Sequence, residues 1–256
     1  MSSKKRRPAS TAICEFDEDR ILIRGRDLVD ELMGKVTFTE LILLQSLGRE
    51  PEAMQVRIVD AVLVTIMEHG LVPSAIVTRL THYGAPESVQ GAIAAGLLGV
   101  GDRFAGTAAE CGALFESILA VPAGDRPRKA REAVAAIRDA GRPVPGFGHP
   151  IHRGGDPRVD RLVGIAREAG ATGACIEVMN EVEASLGEVI GKRLVTNVSA
   201  AIAAVLLEAE VPSAMMRGIV LTARCAGLAG HLFEEMRDPA GESLWTAARS
   251  GVESDD

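Results

Sequence analysis

Apolar residues recur every three or four positions along most of this chain, and that spacing predicts helices. From Thr37, Leu41, Ile42, Leu44 and Leu47 fall on one side, with Gly48 as the stop. After Glu50-Pro51, Val56, Val59, Leu63 and Ile66 keep the spacing as far as His69-Gly70. Pro73-Ser74 opens a helix through Val77 and Leu80, ended by the turn Tyr83-Gly84-Ala85-Pro86. Glu87 to Leu98 is small and apolar, and Gly91 and Gly96 let a neighbour approach closely. A break over Val100 to Phe104 precedes a helix from Ala108 to Leu119. The charged segment 124–129 leads into another from Ala130 to Ala140. Asp156-Pro157 reads as a cap and first helical position. Long helices follow around Cys175–Ile190 and Asn197–Glu208, and Pro212-Ser213 opens a last strong one through Leu221 to Phe233.

Strand signals are confined to the beginning. Ile13 and Ile21-Leu22-Ile23 flank the acidic turn 15–19, which suggests a small hairpin within 12–25. Asp27 then caps a short helical turn ended by Gly34. The expected fold is all-α, roughly ten helices plus a hairpin. Residues 1–11 read as a disordered tail, 12–245 as the folded domain and 246–256 as an acidic tail.

Composition narrows the function. Of 256 residues 47% are hydrophobic, enough for a sizeable core, yet only 3% are aromatic. The net charge of −7 argues against a nucleic-acid footprint, which needs a clustered basic face. The basic run Lys4-Lys5-Arg6-Arg7 sits in the tail. Four cysteines, Cys14, Cys111, Cys175 and Cys225, form no CxxC pair, which fits buried thiols in a reducing cytoplasm better than a zinc site or disulfides. No secretory leader, membrane-spanning run or metal-ligand spacing is apparent, so no membrane or metal partner is expected.

The segment Gly141 to Pro150 holds three prolines and three glycines and favours a loop. Around it stand His149, His152, Arg153 and Arg158. Glycines expose backbone N–H groups, arginines offer forked donors to carboxylate or phosphate, and a histidine can exchange protons with a carbonyl substrate. Composition alone also allows a rigid connector with surface charges.

A resemblance changes that balance. The run Gly146-Phe147-Gly148-His149-Pro150-Ile151-His152-Arg153-Gly154-Gly155-Asp156-Pro157-Arg158 resembles the signature of the citrate synthase superfamily. That likeness implies a citrate synthase-like multi-helix fold with a large lobe and a small lobe, the latter near 105–222. It implies that the loop, through Pro145, Gly146 and Gly148, wraps coenzyme A, with Arg153 at a CoA phosphate. It further implies that His149 acts on the oxaloacetate carbonyl and Arg158 binds a substrate carboxylate. Glu68-His69-Gly70 is similar to the segment whose histidine holds oxaloacetate, and Thr222 to His231 to the late helix where an arginine, here Arg224, grips a carboxylate. His231 reads as structural.

Two departures matter. Gly101-Asp102-Arg103-Phe104 lacks the thioester-polarising histidine of the synthases and looks like the citryl-CoA-cleaving module of ATP citrate lyase. Asn197-Val198-Ser199 puts Ser199 where the family carries a catalytic aspartate, and a hydroxyl is far too weak a base to replace it. Asp102, Glu181 and Glu183 are the other acids considered. The resemblance therefore implies a lyase that cleaves citryl-CoA, or a related 3-hydroxy-3-carboxy acyl-CoA, to acetyl-CoA and a 2-oxo acid. No permanently bound cofactor is expected, the coenzyme A thioester being substrate. A small condensing enzyme and a non-catalytic CoA-ester or dicarboxylate-binding relative are the competing readings. A homodimer or larger homo-oligomer is expected, with the helix at 87–98 as an interface.

Overall fold

The computed structural model describes residues 10–102, 106–148, 155–191 and 194–252, so His149, His152 and Arg153 lie outside the described residues. The chain divides into two units, Met1–Val56 and Arg57–Asp256.

The first unit carries a three-stranded antiparallel sheet in the order β1 (Cys14–Phe16), β2 (Ile21–Ile23), β3 (Arg26–Asp27). The hairpin expected from sequence thus gains a third strand. Arg24 and Gly25 both have positive φ, 50° and 80°, the two-residue connection whose twist suits adjoining strands. Arg24 is held there by donating from Nε to the Gln45 carbonyl at 3.0 Å. The Asp27 carboxylate caps one wide turn over Leu28–Leu32, closed by Met33 N–H donating to the Leu28 carbonyl at 2.8 Å. Helix α1 (Phe38–Leu47) begins with a complete Thr37–Glu40 capping box and ends at Gly48 in the left-handed region. Such a cap contributes about 1 kcal/mol.

Ten further α-helices complete the described residues: α2 (Ala53–Met67), α3 (Pro73–Gly84), α4 (Val89–Leu98), α5 (Thr107–Leu119), α6 (Arg126–Asp139), α7 (Pro157–Glu168), α8 (Ala174–Ile190), α9 (Val198–Glu208), α10 (Ser213–Arg237) and α11 (Gly241–Ser250). Helix α6 starts before its expected first residue, because Pro127 fits the first turn, where its missing N–H costs nothing. Residues 246–250, read from sequence as acidic tail, belong to α11. Trp245 on that helix faces Tyr83 of α3 at 6.4 Å between ring centroids.

Helix α9 is central to the second unit. Ala200 through Leu206 are all buried, so it has no solvent face, and α5, α7 and α8 pack around it. Long α10 crosses α3, α4 and α5. The buried Glu208 carboxylate, at the end of α9, accepts from Thr172 Oγ1 and from the N–H groups of Gly173, Cys175 and Ile176, closing the start of α8. A negative charge there also complements the helix dipole. Among the described residues no single helix is long and apolar enough to cross a membrane.

Candidate active site

A cleft of about 520 Å³, counted with its open mouth, collects residues from five helices or their ends in the second unit. Glu68 and His69 enter just beyond the C-terminus of α2, Thr107 and Ala108 from the start of α5, and Arg158 from the first turn of α7. Ser199 comes from the first turn of α9 and Arg224 from the middle of α10, with Ile66, Ile202 and Val220 as apolar wall. Of the residues singled out from sequence, His69, Arg158, Ser199 and Arg224 are thus brought to one place.

Local sequence explains each placement. A Cβ at Gly227 would overlap the Met67 carbonyl, so a glycine lets α10 cross directly over the end of α2. That crossing sets Arg224, one turn earlier on α10, beside the Glu68-His69 corner. Asp156 caps α7 by accepting from Arg158 N–H at 3.1 Å, and Pro157 takes the first helical position. The same carboxylate grips the Arg158 side chain through Nε at 2.9 Å and Nη2 at 2.7 Å. Asp156 is buried, so the guanidinium is held in one orientation at the cleft wall. Asn197 caps α9 by accepting from Ser199 N–H at 2.9 Å.

The loop ahead of His149 is stitched to this cap. Gly148 N–H donates to the Val195 carbonyl at 2.7 Å, Asn197 N–H to the Gly146 carbonyl at 3.0 Å, and Asn197 Nδ2 to the Gly148 carbonyl at 3.0 Å. Phe147 and Thr196 pair as an antiparallel bridge. Gly146, at φ 83°, lies so near Cys111 and Ala200 that no side chain fits. Pro145 lines a second cleft with Arg142 and Pro143, across from Glu110 and Leu114 of α5 and Ile137 of α6.

Electrostatics favour an anion in the first cleft. Arg224 is only 9% exposed and makes no hydrogen bond or ion pair among the described residues. Burial pulls its pKa down, and the Glu68 charge partly restores it. A buried cation without a salt-bridge partner is costly, and a bound carboxylate relieves that cost. The positive end of the α9 dipole adds to the same field. Glu68 is the one carboxylate among the described residues lining the cleft. Burial raises its pKa, but donors from His231 Nε2 and from the N–H groups of His69 and Gly70 outweigh that and hold it below the usual range.

The other acids considered from sequence do not line this cleft. Asp102 pairs with Arg217 at 2.5 Å. Glu183 accepts from Thr196 Oγ1 and borders a separate groove with Asn180. Glu181, on α8, is pushed up by burial and drawn down by the nearby Arg126 charge. Glu68 itself was not singled out from sequence as a site residue. Its position directly before His69 was the only available signal.

The comparisons with known proteins converge on this architecture. The family model "Citrate synthase, C-terminal domain" matches residues 41–245. The chain belongs to the citrate synthase family. The family member's fold superposes on the structure of citryl-CoA lyase from Hydrogenobacter thermophilus with a TM-score of 0.86, at 28% identity, over 98% of this chain and 95% of that one. It also superposes on ATP citrate lyase from Methanothrix soehngenii, in complex with citrate and coenzyme A, with a TM-score of 0.76 and 21% identity over 91% of this chain and 40% of that one. At that identity the likeness speaks for the fold. A Mycobacterium tuberculosis protein named "Putative citrate synthase 2" is 31% identical over 192 residues, 73% of this chain. The chain spans about half the length of the curated relatives it matches.

Proposed function

We propose that this family member is a carbon–carbon lyase that cleaves citryl-CoA, or a related 3-hydroxy-3-carboxy acyl-CoA, to acetyl-CoA and a 2-oxo acid such as oxaloacetate. The observation that carries this reading is the buried Arg224, unpaired among the described residues, beside His69 and the oriented Arg158 in one cleft. Two arginines and a histidine converging on a small enclosed space fit a di- or tricarboxylate. The full-length likeness to a citryl-CoA lyase supports cleavage.

In this reading Arg158, Arg224 and His69 hold the carboxylates of the 2-oxo acid portion of the substrate. His149, outside the described residues, takes the substrate hydroxyl proton as the carbon–carbon bond breaks. The departing thioester enolate is stabilised electrostatically and takes a proton from water, while His149 returns the hydroxyl proton to solvent. The coenzyme lies along Pro145, Gly146, Gly148 and Arg153 toward the second cleft, as substrate and not as a resident cofactor. The reaction belongs to the cytoplasm, where the four free thiols stay reduced. Helix α4, apolar apart from Gln90 and with Leu98 88% exposed, is the proposed interface of a homodimer.

Ser199 gives a second reading its one specific support. It lines the cleft where the family carries an aspartate, so a relative that binds CoA esters or dicarboxylates without turnover fits the same geometry. The experiment is direct. Purified protein is mixed with citryl-CoA, and separately with acetyl-CoA and oxaloacetate, while free thiol and oxaloacetate are followed. Oxaloacetate release from citryl-CoA, abolished by His149→Ala, supports the lyase. Calorimetric binding without turnover in either direction removes it in favour of the binding relative.

A further inference from the structure

A chain of polar side chains runs from the C-terminal part of α10 to the lip of the cleft, and its middle member is His231. Arg79 of α3, 3% exposed, donates from Nη1 to the buried Glu235 at 2.9 Å and from Nη2 to Glu234. Its Nε and Nη2 also reach His231 Nδ1 at 3.2 and 3.0 Å. A guanidinium can only donate, so Nδ1 must accept and the ring proton must sit on Nε2. That Nε2 lies 3.0 Å from Glu68 Oε1. The same oxygen accepts from His69 N–H at 2.8 Å and from Gly70 N–H at 2.6 Å. Both N–H groups belong to the corner that delivers His69 to the cleft.

We propose that His231 is a positioning residue: with its tautomer set by Arg79, it holds the Glu68 carboxylate, which in turn fixes the backbone of the His69–Gly70 corner and so the aim of His69. A purely structural network closes on itself, and Arg79 with Glu234 and Glu235 already does so. The imidazole extends it by one donor, toward the one carboxylate that lines the cleft among the described residues. Glu68 is half exposed, so without that donor its carboxylate has rotamers open toward solvent. The corner follows directly on the end of α2 at Met67, with Gly70 at φ 70° and its carbonyl accepting from Val72 N–H at 2.8 Å. The groups facing the ring are Arg79 from α3 and Glu68 from the end of α2, with Glu234 and Glu235 behind Arg79. The inference rests on the reading that His69 contacts the 2-oxo acid.

The test compares His231→Leu with His231→Gln. Glutamine places an acceptor and an N–H donor about as far apart as the two ring nitrogens, so it can accept from Arg79 and donate to Glu68 without titrating. In ligand-free wild type, ring 15N NMR of the five histidines shows His231 protonated on Nε2. In His231→Leu the His69 ring signals shift, and KM for citryl-CoA, or Kd for oxaloacetate by calorimetry, rises roughly tenfold, the scale of one lost charge-assisted hydrogen bond. His231→Gln restores the His69 signals and the affinity to within about threefold. Glu68→Gln repeats the His69 shift should the leucine variant fail to fold. Unmoved His69 signals in His231→Leu or Glu68→Gln overturn the proposal. Absent binding or turnover in wild type defeats the substrate reading instead, and the NMR arm still decides the positioning role.

Discussion

Arg224 and Glu68 line one cleft, and the Glu68 charge steadies Arg224 without an ion pair forming between them. Each is already committed: Glu68 to the His69–Gly70 corner, Arg224 to the open space. On the proposed function, a ligand carboxylate completes the charge balance that the described residues leave open at Arg224.

Replacing Arg224 with methionine removes the uncompensated charge and keeps much of the volume. We expect the melting temperature of the ligand-free protein to rise by about 2–4 °C, the response to ~1 kcal/mol in a chain of this size. Millimolar oxaloacetate stabilises wild type in the same thermal scan and leaves Arg224→Met unshifted. Loss of stability without ligand, together with retained oxaloacetate stabilisation, would falsify the assignment of Arg224 as the carboxylate anchor.

Ser199→Asp places a carboxylate on the cleft wall at the start of α9, where the dipole favours a negative charge. The variant folds, and it exchanges the methyl protons of acetyl-CoA with deuterated solvent faster than wild type by about 10²-fold, the usual scale of general base catalysis. Equal exchange in the two proteins indicates that position 199 does not face the acetyl group.

Glu208 meets four donors with two oxygens. Glu208→Gln turns an N–H₂ toward backbone N–H groups and removes the charge from the α8 terminus. The expected cost is about 2–3 kcal/mol in urea unfolding, with an unchanged denaturant slope.

Acid should weaken the fold through Glu235. Burial raises its pKa, but donors from Arg79, Ala240 and Gly241 more than offset that, so the native carboxyl sits below its ordinary 4.5. Near pH 4.5 the unfolded chain then binds more protons than the native one, and stability rises with pH. The contribution is complete above 4.5 and is lost as pH falls through the native value. Glu68 acts in the same direction. Thermal scans between pH 7 and 3 should show this decline, with a shallower slope in Glu235→Gln.

Thiol chemistry gives an independent check on burial. Cys111 is fully buried and its pKa is driven far up by burial and the Glu110 charge. Cys175 is pushed up to about 12 by burial and Glu208. Cys14 is exposed. Brief iodoacetamide treatment of the native protein at pH 7.5, read by peptide mass spectrometry, labels Cys14 and spares Cys111 and Cys175.

The helices were legible where periodicity and punctuation agreed. Thr37, Pro73, Asp156-Pro157 and Pro212 each mark a start that the fold uses. The third strand was hidden because two residues cannot show alternation, and its turn is Arg24-Gly25 where asparagine or aspartate would have signalled it. Helix α11 was missed because its polar face dominates its sequence. His69, Arg158, Ser199 and Arg224 were recognised separately by resemblance, whereas their meeting depends on α10 crossing α2 at Gly227. Glu68 and His231 are 163 positions apart, and local patterns hold no trace of such a pairing.

The clasp between 146–148 and 195–197 carries a consequence for how this chain can change over time. Its bonds fix one stretch in register against the other, so a residue gained or lost in either would break the Phe147–Thr196 pairing and the hydrogen bonds on both sides of it. Length variation in descendants of this sequence should therefore collect elsewhere, in connections such as 120–125. Outside Gly146, the two clasped stretches can be edited letter by letter but not lengthened.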